Sequence, residues 1–376
     1  PEPLPSVTLQ QPGGAVGIPQ FSERLTGSRR SVNWACARPC PIDSAALAPA
    51  AVECPRGASG AVRGRAAIRE PLRIGARGSR LSRAQAESVA AELRAAHSSL
   101  AIELVWLTTT GDRDTQTALS AMGAQGVFAK EIEAALLEGR IDVAVHSLKD
   151  LPTAATPGLA VVAVPKRADP RDALVTRDGS VLRALPPFAR VGTGSTRRAA
   201  QLRHLRPDVE VVPIRGNVDT RLGKLEAHGL NAVLLAMAGL ERTGLRDGRV
   251  SPLEAEWFPH APGQGALGLQ CREDDSVTQS LLEPIDDPVS RRTAEAERAA
   301  LAYLGGGCQA PFGVCSRCGA GTIDLLGCVT SSEGRLQVRR WAGGHMDDPD
   351  GLGRELAEAL LAAGAGELLS RERSTG

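Results

Sequence analysis

Several things are scarce in these 376 residues, and each scarcity narrows the range of functions. Net charge is almost absent: 44 Lys and Arg stand against 43 Asp and Glu, a formal charge of +1. No general polyanion-binding surface is implied, so no nucleic-acid partner is expected, and any recognition of anions must be local. No apolar run has the length of a membrane span, and none fits a secretory signal, so no membrane partner is expected either. Cysteine is thin: eight in a chain this long make no dense disulfide scaffold. Cys315 and Cys318 form one CxxC pair within GVCSRCG, without a second pair or a nearby histidine. That is weak for zinc, and the expectation is two small residues in a turn. No metal constellation surrounds His146, and no metal site is expected.

The length suffices for two or three domains. Residues 1–70 differ from the rest: rich in Pro, Gly, Ala and Ser, with 8 Arg, 5 acidic residues and no Lys. They show no sustained periodicity. The expectation is a mostly disordered leader or N-terminal extension, dispensable for chemistry. An organelle transit segment and a non-native upstream extension are both open readings.

From residue 71 onward, apolar residues alternate between strand-like runs and helical stripes, the pattern of an α/β protein. Strands are expected at 72–76, 101–107, 159–164, 190–192, 209–214, 232–236 and 266–270, and helices at 81–97, 194–205, 222–228 and 290–304. A last stretch with strands at 321–329 and 336–341 and a helix at 352–363 reads as a small α+β domain. Residues 126–153, GVFAKEIEAALLEGRIDVAVHSLKDLPT, organise the chain. Phe128, Ile132, Ala135 and Leu136 recur at helical spacing, and Gly139 is a plausible terminator. Ile141, Val143, Ala144 and Val145 form an apolar run suited to a strand covered on both faces. His146, Ser147, Lys149 and Asp150 follow. In open α/β sheets ligands bind beyond strand ends, so these four are site candidates on position alone. A polar strand terminus with a Pro turn explains the same residues.

VAVHSLKDLPT, with GVFAKEIEAALLEGRID before it, resembles the active-site segment of the porphobilinogen deaminase (hydroxymethylbilane synthase) family. The resemblance continues through RADPRDAL (167–174), GTGSTRRAAQL (192–202), RGNVDTRLGKL (215–225), LAMAGLERTGL (235–245), GQGALGLQCR (263–272) and GGGCQAPFG (305–313), in family order. It implies two similar periplasmic-binding-protein-like α/β lobes with a cleft between them, plus a small α+β C-terminal domain. The expected domains are 71–166 with 262–286, then 171–260, then 288–376 carrying the cofactor cysteine. The chain is expected to cross between lobes near 165–171 and 259–265, which makes a hinge plausible.

The resemblance also implies an activity: head-to-tail condensation of four porphobilinogens into hydroxymethylbilane, releasing four ammonia. It assigns Asp150 the catalytic role, a carboxylate beside the pyrrole N–H that stabilises the cation left when ammonia departs. It assigns Cys308 one dipyrromethane cofactor, held by a thioether and acting as primer. Arg77, Ser79, Lys149, Thr193, Ser195, Arg197, Arg198, Arg215 and Arg221 are the expected anion-binding set, since each pyrrole carries two carboxylates and arginine pairs with a carboxylate through two parallel hydrogen bonds. Positive charge unpaired at several strand ends would itself call for an anionic guest. Gln125, Lys130, His146 and Ser147 are expected to support the pocket. A monomer is expected, passing its product to uroporphyrinogen-III synthase, in the cytoplasm if bacterial or the plastid stroma if residues 1–70 are a transit segment.

Two positions depart from the family pattern. Gln125 stands where the loop usually has lysine, which predicts weaker anion contact there. Gly194 stands where a serine is common, trading a hydroxyl for an exposed backbone donor. Neither touches Asp150 or Cys308, so an active enzyme is expected. The competing reading is a two-lobed carboxylate-binding receptor without catalysis, which would share the architecture.

Overall fold

The structure is a computed structural model that describes residues 71–108, 129–305 and 310–375. Cys308, Gln125, residues 1–70 and most of the polar loop after residue 108 lie outside the described residues.

The chain opens with β1 (Leu72–Arg77), α1 (Arg80–Ala96), β2 (Ile102–Leu107), α2 (Lys130–Leu137), β3 (Val143–Ser147) and β4 (Leu159–Ala163). It continues through β5 (Asp172–Thr176), β6 (Arg190–Thr193), α3 (Thr196–Leu205), β7 (Glu210–Pro213), α4 (Val218–Ala227), β8 (Ala232–Ala236), α5 (Met237–Arg242) and β9 (Val250–Pro252). Then follow β10 (Leu267–Arg272), α6 (Ser276–Leu282), α7 (Pro288–Tyr303), β11 (Phe312–Gly319), β12 (Thr322–Thr330), β13 (Gln337–His345), α8 (Pro349–Ala362) and α9 (Ala365–Thr375).

Two five-stranded sheets repeat one plan. Their orders are β2-β1-β3-β10-β4 and β7-β6-β8-β5-β9. In each, three strands run parallel and the next pairs antiparallel to the third. In each, the central β-helix-β unit starts from a serine cap. Ser79 accepts from the Ser82 N–H at the start of α1, and Ser195 accepts from the Arg198 N–H at the start of α3. α1 is fastened to its sheet by Ala86, Val89, Ala90 and Leu93, spaced to fall on one face and fully buried. A leucine or valine buried this way contributes about 1.5–3 kcal/mol. The core is aliphatic; Phe258 and Phe312 are its large buried aromatics.

The chain leaves the first sheet after β4 and returns at β10, so two connections run side by side between the lobes. They meet where Ala168 N–H donates to Gly265 O at 3.3 Å. Gly265 has φ 86, and a Cβ there would lie 2.5 Å from Ala168 O, so this close approach admits only glycine. The expected terminator Gly139 has φ 66 at the end of α2.

The third sheet, β11-β12-β13, is antiparallel, and α7 and α8 pack on it around Phe312, Val314, Leu325, Leu356 and Leu360. Here the turn expected at Cys315 and Cys318 is corrected. Both lie in β11, Cys315 opposite Leu326 and Cys318 opposite Ile323, the first buried and the second exposed, with both thiols free. Eight residues of unbroken pairing to β12 decide the conformation. Among the described residues no group of His, Cys, Asp or Glu could hold a metal ion, and no helix is long and apolar enough to cross a membrane.

Candidate functional site

β3 lies at the centre of the first sheet, with Val143, Ala144 and Val145 buried as the apolar run requires. It runs on through His146 and Ser147, because β10 pairs with it as far as Leu267 opposite Ser147. Those two residues are therefore strand positions; the polar edge is the 3-10 turn Leu148–Asp150. His146 is buried, with Nε2 and Gln270 Oε1 2.9 Å apart. Gln270 Nε2 donates to Glu133 Oε1 at 3.2 Å, and the Thr156 hydroxyl donates to the same oxygen at 3.0 Å. Burial holds His146 below the ordinary histidine value. The Ser147 hydroxyl accepts from Gln85 Nε2 at 2.8 Å, tying the strand end to α1.

Beyond the strand, Asp150 is exposed and Lys149 half-buried. Lys149 Nζ donates to Gln264 Oε1 at 3.4 Å. Arg198 Nη2, from the second lobe, reaches that same oxygen at 3.4 Å. Gln264 Nε2 donates to Asp172 Oδ1 and Pro170 O, each at 2.8 Å. One buried amide on the returning connection thus links the Asp150 turn to the cations of the other lobe.

Arg197 and Arg198 are not unpaired, which corrects the expectation for these two. Both are buried on Asp172. Arg197 Nη1 donates to Asp172 Oδ2 and to Pro259 O, each at 2.7 Å. Arg198 donates to Asp172 Oδ1 through Nε at 2.9 Å and Nη2 at 2.7 Å, and to Leu234 O through Nη1 at 3.1 Å. Burial would raise the Asp172 carboxyl, but the two guanidiniums hold it far below the usual carboxylate range. The carboxylate comes from the first residue of β5, where sequence pattern offers no reason to expect a buried acid.

The remaining expected residues gather at matching strand ends. Arg77 closes β1, and the Ser79 hydroxyl caps α1 while donating to Ser82 Oγ at 2.9 Å. Thr193 closes β6, its hydroxyl accepting from Ser195 N–H at 3.2 Å. Arg215 follows β7 and keeps one buried nitrogen, Nη1, without a hydrogen-bond partner among the described residues. Arg221, on α4, donates through Nε to Gly216 O at 2.7 Å. Lys130 is exposed at the start of α2. Gly194 has a physical reason to differ from serine: a Cβ there would lie 2.5 Å from Ile214 O.

Electrostatics joins these residues. Burial pulls Lys149 down to about 8, opposed by Asp150 and Asp172 and reinforced by Arg198 and Arg197. Burial likewise pulls Arg221 down to about 10, with Arg198 and Arg215 reinforcing and Asp150 opposing. Cations held near one another with depressed proton affinity, and a buried guanidinium nitrogen left unmatched, are the signature of a site completed by an anion. Carboxylates of a dipyrromethane would relieve all three strains, so the residues present fit that group. One exposed acid, Asp150, stands among the cations as a candidate for chemistry rather than charge balance. A testable consequence concerns pH. If Lys149 takes a substrate carboxylate, as the family resemblance implies, its attraction depends on the proton that burial loosens, with a pKa pulled down to about 8. kcat/KM for porphobilinogen should therefore fall as pH rises through that value, by roughly tenfold or more, the worth of one charge-assisted hydrogen bond. Steady-state profiles of wild type and Lys149→Gln check this: the variant should lack that limb.

Two α/β lobes of one plan, with cations at their strand ends and an exposed carboxylate at Asp150 among the described residues, have the chemistry of a carboxylate-binding α/β scaffold. Residues 72–280 match the porphobilinogen deaminase, dipyromethane cofactor binding domain, and residues 292–362 match the porphobilinogen deaminase C-terminal domain. The porphobilinogen deaminase of Acidothermus cellulolyticus is 48% identical over 315 residues, spanning 83% of this chain and 95% of that protein. That of Roseiflexus castenholzii is 45% identical over 303 residues, spanning 81% of this chain and all of that protein. The chain belongs to the porphobilinogen deaminase family. It is a transferase of tetrapyrrole biosynthesis that condenses porphobilinogen into hydroxymethylbilane with release of ammonia, and it uses a dipyrromethane cofactor.

Proposed function

We propose that Asp150 is the catalytic residue and Cys308 the point of cofactor attachment. The observation that carries the first assignment is the placement of Asp150: exposed, at the tip of the β3 turn, within electrostatic reach of Lys149 and Arg221. When ammonia leaves the aminomethyl carbon of porphobilinogen, the electron deficiency is shared with the pyrrole nitrogen. A carboxylate held beside that N–H stabilises the cation, and after the new carbon–carbon bond forms it accepts the proton lost from the attacking α-carbon of the terminal pyrrole, while the newly joined ring keeps its N–H. Lys149, Arg198, Arg215 and Arg221 take the acetate and propionate groups, so the ring is oriented before it is activated. Arg77, Ser79, Thr193 and Ser195 supply further donors at the strand ends, and Arg197 holds Asp172 from behind. Gln125 and Lys130 stand at the entrance to α2 in sequence and supply polar support there.

The dipyrromethane, when bound, supplies a fixed covalent end for the growing chain. Its attachment to Cys308 is the reading of the family motif, and three of the other cysteines are poorly suited to it. The thiolate is the reactive form. Burial pushes the thiols of Cys271 and Cys315 up to about 11, and raises that of Cys328. The same reading extends to a monomer that hands its product to uroporphyrinogen-III synthase, in a cytoplasm or, if residues 1–70 are a transit segment, a plastid stroma.

Intact mass tests the attachment. Protein from producing cells should exceed its chain mass by one dipyrromethane, and Cys308→Ser should lose both that increment and ammonia release from porphobilinogen. An increment retained by Cys308→Ser would move the attachment elsewhere.

A further inference from the structure

Two consecutive residues of α7 take up polar groups of the first lobe and its connections. Glu297 binds the connections between the lobes. Arg298 does something different. Its guanidinium lies behind the Asp150 turn and donates to three main-chain carbonyls: Nη1 to Leu148 O and Leu151 O, each at 2.8 Å, and Nη2 to Pro152 O at 2.6 Å. These carbonyls bracket Lys149 and Asp150 on both sides. The turn has weak support of its own, since its internal bond from Leu151 N–H to Leu148 O is 3.4 Å long. Leu148 N–H is anchored to Ala266 O at 3.0 Å, but that bond lies before Asp150. Leu148 and Leu151 are buried in an apolar cluster with Val164, Ala266 and Ala294, but that packing holds their side chains and leaves the carbonyls to Arg298. A pocket of about 340 Å³ opens on the same side, lined in part by Leu148, Leu151, Pro152 and Arg298 itself.

We propose that Arg298 is a positioning residue for the reaction: it fixes the turn that presents Asp150, from the side facing away from the anion-binding residues. The inference rests on the role proposed above for Asp150. A planar guanidinium can serve three carbonyls at once, whereas an ammonium is a compact point charge on a flexible stem. Arg298→Lys therefore keeps the charge and loses the geometry. A displaced turn misplaces the carboxylate without removing any cation from the substrate's own contacts, and small misplacements of a reacting group are costly.

The test uses the loaded holoenzyme, with folding checked by circular dichroism and cofactor content by intact mass. Arg298→Lys should lower kcat by about tenfold and leave KM for porphobilinogen within about twofold. In an Asp150→Asn background the same change should add no more than about twofold, because a prop for an absent carboxylate has nothing left to position. If Asp150→Asn turns over normally, the role of Asp150 fails. If Asp150→Asn is slow while Arg298→Lys is normal, raises only KM, or multiplies the Asp150→Asn defect, the inference about Arg298 fails. Arg298→Gln is the second variant. If neither variant folds and loads, Arg298 is a general stabiliser and the proposal is overturned.

Discussion

Asp150→Asn is expected to lower kcat by roughly 10²–10³-fold, the usual cost of removing one preorganised group aimed at developing charge. KM should change far less, because the proposed function gives the substrate's carboxylates to Lys149, Arg198, Arg215 and Arg221 rather than to Asp150. Asparagine has nearly the same volume and can still accept a hydrogen bond from the pyrrole N–H. What it lacks is the negative charge opposite the cation. The substitution also has a signature at a distance. Asp150 raises the proton affinities of Lys149 and Arg221 against the burial that lowers them. Without it, the alkaline limb assigned to Lys149 should move to lower pH than in the wild type. Ammonia release and product formation across a pH series measure both effects. Unchanged turnover would remove Asp150 from the mechanism; an alkaline limb that stays in place would separate Lys149 from it.

The local parts of this architecture were readable because they are periodic. The stripe Ala86, Val89, Ala90, Leu93 and the apolar run of β8 announce a helix and a strand from spacing alone. α5 leaves no such trace, because six residues carry less than two turns of pattern. β11 leaves none either: the CxxC spacing of Cys315 and Cys318 suggests a turn, while what makes the segment a strand is its pairing with β12. The site divides the same way. Asp150 and Lys149 stand in one contiguous motif. Asp172, Gln264, Glu297 and Arg298 act on partners from other elements that lie far away in sequence: Arg198 and Asp172 are 26 residues apart, Arg167 and Glu297 are 130, Arg298 and Leu148 are 150. No local rule links such pairs. Asp172 and Gln264 lie inside RADPRDAL and GQGALGLQCR, segments that carry the family resemblance, but nothing in those words marks the acid as buried. Charged residues are rarely fully buried unless paired, and the pairing is visible only in three dimensions.

Glu297 is where loss of one side chain should cost the fold most. It is fully buried, and its two oxygens serve four donors. Arg167 binds it with both terminal nitrogens at 2.7 and 2.8 Å, Gly263 N–H donates at 2.8 Å, and the Ser316 hydroxyl donates at 2.7 Å. Arg167 belongs to the outgoing connection between lobes, Gly263 to the returning one, and Ser316 to β11. The carboxylate of α7 is therefore the common anchor of both connections and the third sheet. Glu297→Ala leaves the Arg167 guanidinium buried without a counter-charge, which costs about 3–5 kcal/mol, or roughly 5–8 °C in Tm for a chain of this size. The loss should be smaller in the double variant Arg167→Met/Glu297→Leu, since a buried ion pair replaced by apolar groups of similar volume is often close to neutral. The pH dependence has a fixed sign. Burial raises the Glu297 carboxyl, but Arg167 and its other donors bring it below the ordinary 4.5. A depressed carboxylate contributes its full stability above that value, and the contribution fades as pH falls below it toward the folded-state value. Thermal unfolding from neutral to acid pH should therefore show wild type and Glu297→Ala furthest apart at neutral pH and converging in acid. Curves that stay parallel would mean that Glu297 acts through packing and hydrogen bonding alone, with its charge contributing nothing to the hold on the two connections.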